Sequence, residues 1–143
     1  MHLTSPAFQN GKLLPEKYAY HNQNLSPPLA IQDIPEKAQS LVLIVDDPDA
    51  PAGTWLHWLV FDLPIVETLE EGSQIGKKGI NSFKTQKYDG PAPPSGVHHY
   101  FFKLYALDAL LNLKEGATLK EVESSMKEHI LAKAEIVGLF GKK

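Results

Sequence analysis

The sequence contains no cysteine, which excludes a disulfide framework, a thiolate nucleophile and a cysteine-based zinc site. It also has little excess charge: the formal net charge of -3 predicts no electrostatic attraction to nucleic acid or to an anionic membrane. No apolar run approaches the roughly 18 residues that span a bilayer, and the first residues lack the basic and apolar segments of a signal peptide. We therefore expect a cytoplasmic protein with no nucleic-acid partner and no integral membrane association.

The composition is that of an ordinary folded domain. Of the 143 residues, 43% are hydrophobic and 22% are charged, which is near the average for soluble folded proteins. A chain of this length can bury a core of its own but is short for two ordinary domains. The sequence therefore predicts a single domain over residues 1–143.

Two predicted strands joined by a rigid acidic turn form the most distinctive stretch of the chain. The aliphatic run Leu41–Val45 is typical of a buried strand, and the aromatic run Trp55–Asp62 predicts a second strand. Three aspartates and two prolines lie between them, in residues 46–51. Because proline fixes its own backbone angle and restricts the residue before it, this turn holds its polar groups in place before a ligand arrives.

A third strand follows a second stiff segment. Residues 66–88 are polar and glycine-rich, which predicts a long loop with little regular structure. The Pro/Gly-rich segment Tyr88–Gly96 then leads into aromatic and β-branched residues that predict a strand over Val97–Leu107. The acidic turn and this segment thus each adjoin an aromatic strand that carries histidine.

Helical signals appear only near the C-terminus. Thr118 and Glu121 form a capping-box pattern, and the apolar spacing that follows predicts a helix over Leu119–Ala132. A terminal strand is predicted over Ile136–Phe140, whereas residues 3–20 predict short strands and turns without a helix. The residues together predict a mainly β fold with a C-terminal helix.

Period-2 alternation assigns the side chains of the aromatic strands to faces. On the second strand, His57 shares a face with Leu59 and Phe61, and on the third, His98 shares a face with Tyr100. Both faces of both strands are largely apolar. This pattern predicts a central sheet that is covered on each side.

The two histidines predict a pocket for anions. If their strands are neighbours, His57 and His98 form a polar cluster with Asp47, Asp49 and Tyr100. Imidazole N–H groups and a tyrosine hydroxyl can donate hydrogen bonds to phosphate or carboxylate, while Asp47 or Asp49 accepts the other imidazole N–H. The alternative for either histidine taken singly is a satisfied core residue, which is the more common role on an apolar strand.

Two kinds of enzyme site fit the residues less well. Ser95 beside Gly96 is the only nucleophile candidate, and it lacks the Gly-x-Ser-x-Gly elbow of hydrolases. A metal site built from His57, His98 and Asp47 lacks the short ligand spacing typical of such sites. A small hydrolase stays open as the least supported alternative, and we expect no catalytic residue, no metal ion and no cofactor.

Three motifs in order resemble the signature of the phosphatidylethanolamine-binding protein family, also called the Raf kinase inhibitor protein family. They are Asp47–Pro51, Trp55–Trp58 and Gly90–Tyr100. The resemblance is closest to the short bacterial and archaeal branch, and Ser26–Leu29 with His129–Gly138 extends it over nearly the whole chain. It implies a large antiparallel sheet packed on a smaller sheet, a C-terminal helix, and a shallow anion pocket at one end.

The resemblance also implies which residues form that pocket. By motif position, the lining residues are Asp47, Trp55, His57, His98 and Tyr100, and the walls are Pro51, Gly90, Pro93 and Pro94. In the family, the peptide bond before the last proline of the first motif can be cis, which makes Ala50–Pro51 a candidate.

The implied function is binding rather than catalysis. Pockets of the family accept phosphorylated head groups and simple anions, and its members include phospholipid binders, kinase-pathway modulators and protease inhibitors. The resemblance therefore implies a non-enzymatic protein that binds a small anion or phosphorylated ligand and regulates or inhibits signalling proteins. Two further partners stay open: a kinase or protease bound through surface loops such as Glu67–Lys87, and a second copy of the chain in a homodimer.

Overall fold

The computed structural model describes residues 1–141, so the last two residues of the predicted domain lie outside the described residues. The described chain forms nine β-strands, one α-helix and a 3₁₀ helix at Glu16–Tyr18. The strands are β1 (His2–Thr4), β2 (Lys12–Leu13), β3 (Leu29–Gln32), β4 (Ser40–Asp47), β5 (Trp55–Leu63), β6 (Thr68–Leu69), β7 (Lys77–Lys78), β8 (Val97–Leu107) and β9 (Ile130–Gly141). The helix is α1 (Leu119–Met126).

Six strands form a large sheet in the order β2-β9-β8-β4-β5-β7. Neighbours pair antiparallel except for β2, which runs parallel to β9. Every residue of β4 is buried, as expected for an aliphatic strand that is covered on both faces. The strand predicted over Val97–Leu107 is confirmed as β8, and those predicted over Leu41–Val45 and Trp55–Asp62 are confirmed within the slightly longer β4 and β5.

Different elements cover the two faces of the large sheet. The small sheet, of order β1-β3-β6, places Leu3, Ile31 and Leu69 in one core cluster with side chains of β4 and β8. On the opposite face, α1 contributes Val122 and Met126 to a second cluster. The prediction of a mainly β fold, with two packed sheets and a C-terminal helix, is confirmed.

Two helix predictions are wrong. The helix ends at Met126 rather than Ala132, because the chain enters β9 at Ile130 and pairs with β8 as far as Gly141. Tertiary pairing along a whole strand outweighs a helix propensity of a few tenths of a kcal/mol per residue. The N-terminal region, predicted without a helix, contains the 3₁₀ turn at Glu16–Tyr18. Within residues 1–141, no helix is long and apolar enough to cross a membrane.

The capping box of α1 is present as predicted and gives a test of helix stability. The Thr118 hydroxyl accepts a hydrogen bond from the Glu121 N–H, and the Glu121 carboxylate accepts one from the Thr118 N–H. Thr118→Ala removes the first bond, so we expect the free energy of unfolding to fall by about 1 kcal/mol. Urea denaturation measures the change. Ser124→Ala, at an exposed position of α1, is the control, and an equal loss in both variants would contradict the capping role.

Candidate ligand-binding site

A bulge in β5 places His57 next to the acidic end of β4. Along this strand pair Val45 faces Trp58 but Asp46 faces Leu56, so His57 is an extra residue without an opposite partner. Bulges of this kind bend a strand, increase its twist and redirect side chains. The bulge therefore lies at His57, a residue of the predicted anion-binding cluster.

The bulge changes the face that His57 occupies. Leu59 and Phe61 pack in the cluster beneath α1, whereas the His57 ring contacts Tyr100 edge-on with a centroid distance of 5.2 Å. The prediction that His57 shares a face with Leu59 and Phe61 is therefore wrong. The prediction for β8 is right, because His98 and Tyr100 are both buried on the same side and their rings stack at 6.5 Å.

A cavity of about 360 Å³ opens where β4 and β5 meet the beginning of β8. The turn at residues 50–52 and the proline-rich segment at residues 92–94 contribute to its walls. Its lining consists of Asp47, Ala50, Pro51, Ala52, Trp55, His57, Phe83, Ala92, Pro94, His98 and Tyr100. Because most of these side chains are apolar, the few polar groups lie in weakly solvated surroundings where their interactions are strengthened.

Asp47 orients His98. The His98 Nδ1 lies 2.6 Å from the Asp47 Oδ2, and both side chains are more than nine-tenths buried. The Asp47 Oδ1 accepts a second bond, of 2.8 Å, from the backbone N–H of Asp49. Because the carboxylate accepts, Nδ1 of His98 carries the hydrogen, and Nε2 is the ring atom left to meet a ligand.

A backbone carbonyl, rather than a carboxylate, orients His57. Its Nδ1 lies 2.7 Å from the carbonyl oxygen of Asp89, so this nitrogen donates and Nε2 is again the atom left for a ligand. Burial lowers the pKa of His57, and this effect exceeds the opposite effects of the Asp89 carbonyl and the Asp47 charge. The unliganded ring is therefore neutral near pH 7, with a lone pair on Nε2.

Tyr100 lies between the two imidazoles. Its side chain is 1% exposed, and its hydroxyl lies near the Asp47 carboxylate and the Ala92 backbone but is one of two buried side-chain polar atoms without a well-formed hydrogen bond in the described chain. Burial, and then the negative charge of Asp47, raise the pKa of Tyr100, so the hydroxyl keeps its proton. A buried donor without a partner costs about 1–3 kcal/mol, which a bound acceptor would recover.

The Asp89 side chain holds the loop that orients His57. The carboxylate accepts hydrogen bonds from Asn24, Asn81, Thr85 and Lys87. Burial disfavours the charged carboxylate, but these bonds outweigh burial and lower the pKa of Asp89. Asn81 also donates to the His57 carbonyl at 3.2 Å, so the network ties the loop to the bulge itself. The sequence prediction missed Asp89 because the residue that its carbonyl orients, His57, lies 32 positions away in the chain.

An aromatic group closes one side of the cavity. Phe83 stacks on Tyr20 at 4.9 Å and meets Trp55 and His57 edge-on at 5.5 and 5.3 Å. Phe83 was not predicted, since it lies in the polar segment that predicts a surface loop. The available signal was that Phe83 is the one aromatic residue between positions 66 and 87.

The structure brings most of the predicted site residues together and leaves three outside the lining. Asp49 accepts hydrogen bonds from the ring and backbone of the exposed His99, instead of orienting a pocket histidine. Gly90 packs against the Tyr18 carbonyl. Pro93 lines a neighbouring cavity of about 390 Å³ on another side of the same segment. The residues that do line the cavity are Asp47, Pro51, Trp55, His57, Pro94, His98 and Tyr100.

Three further expectations concern chemistry at this site. Ser95 is exposed and is not among the lining residues of the cavity. In residues 1–141, no group of three or more His, Cys, Asp or Glu side chains is arranged to hold a metal ion. The described chain has no cis peptide bond, so Ala50–Pro51 is trans and not the cis bond that the resemblance suggests.

Comparisons with known proteins agree with the fold and the motifs. A family model described as phosphatidylethanolamine-binding protein matches residues 4–141. UPF0098 proteins of Chlamydia muridarum and Pyrococcus abyssi are 46% and 45% identical to this chain; the matches cover 98% and 97% of the chain and 98% and 84% of those proteins. The crystal structure of a phosphatidylethanolamine-binding protein homologue from Chlamydia trachomatis superposes with a TM-score of 0.96 at 42% identity, over 99% of this chain and 97% of that one. The crystal structure of Escherichia coli YbcL superposes with a TM-score of 0.91 at 27% identity, over 99% of this chain and 98% of that one.

Proposed function

This chain belongs to the phosphatidylethanolamine-binding protein family, and we propose that it binds a phosphate-like anion, free or within a phosphorylated head group, without turning it over. The anion would lie in the cavity between His57, His98 and Tyr100. The observation that carries the proposal is that three buried polar side chains converge there, each with an atom left over for a ligand. Both imidazoles have Nδ1 engaged, and the Tyr100 hydroxyl has no well-formed hydrogen bond.

Proton uptake would accompany binding. A neutral imidazole with a hydrogen on Nδ1 offers only a lone pair at Nε2, which an anion oxygen without a proton cannot use. Protonation of the His57 ring turns its Nε2 into a charged donor, and such bonds are roughly twice as strong as neutral ones. Asp47 fixes the orientation of the His98 ring through their 2.6 Å contact. The Tyr100 hydroxyl supplies a donor that needs no protonation.

The remaining chemistry of the site favours binding over turnover. The lining contains no serine, threonine, cysteine or lysine that could act as a nucleophile. Ser95, the one nucleophile candidate in the sequence, is exposed outside the lining. A hydrolase with a serine nucleophile would need Ser95 to approach the bound ligand.

The loop considered for kinase or protease inhibition is tied to the sheet beside the cavity. Ser82 donates its backbone N–H to the Leu56 carbonyl and accepts the Leu56 N–H on its hydroxyl. Gly79 donates to the Leu59 carbonyl, and Phe83 lines the cavity. These contacts support a role of this loop in building the pocket.

Replacing either pocket imidazole should weaken anion binding. We expect His57→Gln and His98→Gln each to raise the dissociation constant for inorganic phosphate about tenfold or more, since a hydrogen bond to a charged group contributes about 1.5–3 kcal/mol. Isothermal titration calorimetry measures the affinity. A matched control is His129→Gln, because His129 makes the same kind of histidine–aspartate contact with Asp108, at 2.7 Å, on an exposed surface.

The imidazole signals give an independent readout in the unsubstituted protein. Phosphate should shift the NMR signals of His57 and His98 and leave those of His129 in place. Unmoved pocket signals at millimolar phosphate, or equal losses of affinity in all three variants, would rule out the proposed site. Phosphoethanolamine can be titrated in place of phosphate. Equal affinities for the two ligands would indicate that the site recognises the anion alone, whereas a higher affinity for phosphoethanolamine would indicate that it recognises a head group.

A further inference from the structure

Asp46 lies on the face of the large sheet that is opposite the anion-binding cavity. Its neighbour Asp47 contacts His98 on one face, whereas Asp46 accepts a hydrogen bond of 2.9 Å from Lys103 on the other. Successive side chains of a strand alternate between faces, so Asp46 shares its face with Ile44, which packs in the cluster beneath α1. The proposed anion site therefore makes no use of Asp46.

The Asp46 carboxylate lacks a hydrogen bond at one of its two oxygens. The side chain is only 9% exposed, and Lys103 bonds its Oδ2 atom. The Oδ1 atom is buried and has no hydrogen-bond partner within residues 1–141. Leaving a buried charged oxygen without a donor is costly, and such atoms are rare in folded proteins. This oxygen therefore points to a donor that the described chain does not itself supply.

A cavity of about 330 Å³ lies beside this carboxylate, and we call it the Asp46 cavity. Glu135 faces Lys103 across the β8–β9 pair and is exposed, with no hydrogen bond or ion pair of its own in the described chain. Two carboxylates thus share one ammonium group, which leaves an excess of negative charge at the cavity. The lining residues are Asp46, Pro48, Thr54, Phe101, Lys103 and Glu135.

We infer that the Asp46 cavity binds a small primary alkylamine as its ammonium ion, at a site separate from the anion pocket. The ammonium group of the ligand donates to Oδ1 of Asp46 and to the Thr54 hydroxyl, and its charge offsets that of Glu135. Its alkyl chain packs on the Phe101 ring. The ammonium group of Lys103 already lies 5.9 Å from the centre of that ring, so the same surface suits a second alkylammonium ion.

Two other kinds of cation fit this cavity less well. The ammonium group of Lys103 occupies Oδ2 of Asp46 and would repel a metal ion. In the part of the chain that the structure describes, no group of three or more His, Cys, Asp or Glu side chains is arranged to hold a metal. A guanidinium group binds a carboxylate best through two parallel hydrogen bonds, but Asp46 has only one open oxygen. An ammonium group is a point donor and needs only one.

The ligand reaches Oδ1 through the exposed side of the cavity. Because Oδ1 is buried, side chains around it must shift when a ligand enters. Thr54 and Glu135 are exposed, and the long Lys103 side chain is 34% exposed, so this wall consists of side chains that can move. Lys103 keeps its bond to Oδ2 during such a shift, and the carboxylate then has a donor at each oxygen.

An NMR titration of the unsubstituted protein with butylamine tests the site. Butylamine should shift the amide signals of Asp46, Thr54 and Phe101 and leave the imidazole signals of His57 and His98 in place. Butyltrimethylammonium has the same charge without an N–H donor, and butylguanidinium carries its donors in a planar fork. Both should bind about tenfold or more weakly than butylamine, because the bond to Oδ1 is lost or poorly aligned.

Three results of this titration would overturn the inference. The first is an absence of shifts at millimolar butylamine, which would mean that Oδ1 has no amine partner. The second is an equal affinity for the three cations, which would mean that only charge is recognised. The third is that Mg²⁺ shifts the same amide signals and butylamine does not.

Two substitutions test the role of the carboxylate. Asp46→Asn removes its charge and should weaken butylamine binding about tenfold or more, whereas Glu128→Gln, at an exposed position without an ion pair, should leave it unchanged. Circular dichroism checks the fold. Lys103→Met decides the matter if Asp46→Asn does not fold: it removes the resident ammonium group, so butylamine should bind about tenfold or more tightly. An affinity that does not rise in Lys103→Met, or does not fall in folded Asp46→Asn, would overturn the inference.

Discussion

Sulfate should bind this protein more tightly as the pH falls from 7.5 to 5.5, with the affinity rising about tenfold per pH unit for each proton taken up. Sulfate has no proton to donate in this range, so a protonated imidazole must supply the hydrogen bond at Nε2. Burial lowers the pKa of His57 below its usual value of about 6.5. The rise in affinity should therefore continue below pH 6.5, where an ordinary imidazole would already be charged.

Calorimetry in two buffers of different ionisation enthalpy counts the protons directly. His57→Gln should flatten the part of the curve below pH 6.5, while the exposed His129→Gln leaves it unchanged. A sulfate affinity that does not vary with pH would show that no imidazole proton is taken up. The proposed role of Nε2 would then be wrong, even if sulfate binds.

In the protein without a ligand, the lowered pKa of His57 has the opposite effect: the free energy of unfolding decreases as the pH falls. Because the folded state lowers the pKa of His57, the unfolded chain takes up its proton first as the pH falls. The contribution of His57 to the free energy of unfolding is thus complete above about pH 6.5 and is lost as the pH falls through the folded-state pKa. Sulfate should offset the loss, since it binds the protonated folded form.

Gly90→Ala should lower the free energy of unfolding by about 3 kcal/mol or more. A Cβ at this position would lie 1.9 Å from the Tyr18 carbonyl oxygen, and a backbone atom cannot rotate away as a side chain can. The Gly90 N–H also donates a 2.7 Å hydrogen bond to Asn24, which limits movement of the loop in the other direction. Chemical denaturation measures the loss.

Gly96→Ala is the matched control in the same proline-rich segment. Gly96 has open space around it but a φ of +66°, so a side chain there costs only the left-handed backbone energy, about 1–2 kcal/mol. If Gly90→Ala creates a clash, its loss in free energy of unfolding should exceed that of Gly96→Ala. An equal or smaller loss there would mean that the loop can move away from Tyr18. The anion affinity of the folded Gly90→Ala protein should fall too, because Asp89 next to it orients His57.

The strands that could be predicted from the sequence are those with a strong local signal. β8 is rich in aromatic residues and follows a proline-rich segment, so its bounds were predicted residue for residue. The start of β9 could not be predicted, because Ile130 and Leu131 suit helical spacing as well as a strand. Pairing with β8 decides between the two, and that pairing joins residues more than twenty positions apart. β3 was missed because it is short and follows two prolines.

The residues of the candidate site also divide into those with a local sequence signal and those without one. Asp47 and His98 were predicted from motifs that adjoin strand ends, and they meet because β4 and β8 are neighbours. His57 was predicted as a pocket residue, but its face was not, since a bulge has no period-2 signature. Asp89 and Phe83 were missed because their roles depend on contacts with distant parts of the chain. Local patterns therefore gave the central polar residues, and the fold added the groups that position them.

The hydrogen bond from His57 to the Asp89 carbonyl has a consequence for how this site can change by mutation. A side chain that fixes a tautomer can be replaced in one step, but every residue has a carbonyl, so no substitution at position 89 deletes this acceptor. The backbone conformation at Asp89 therefore determines that the His57 proton lies on Nδ1. Only changes that move the loop can alter it, and these would act through Asn81, Gly90 and the other supports of the loop, at a distance from the ligand.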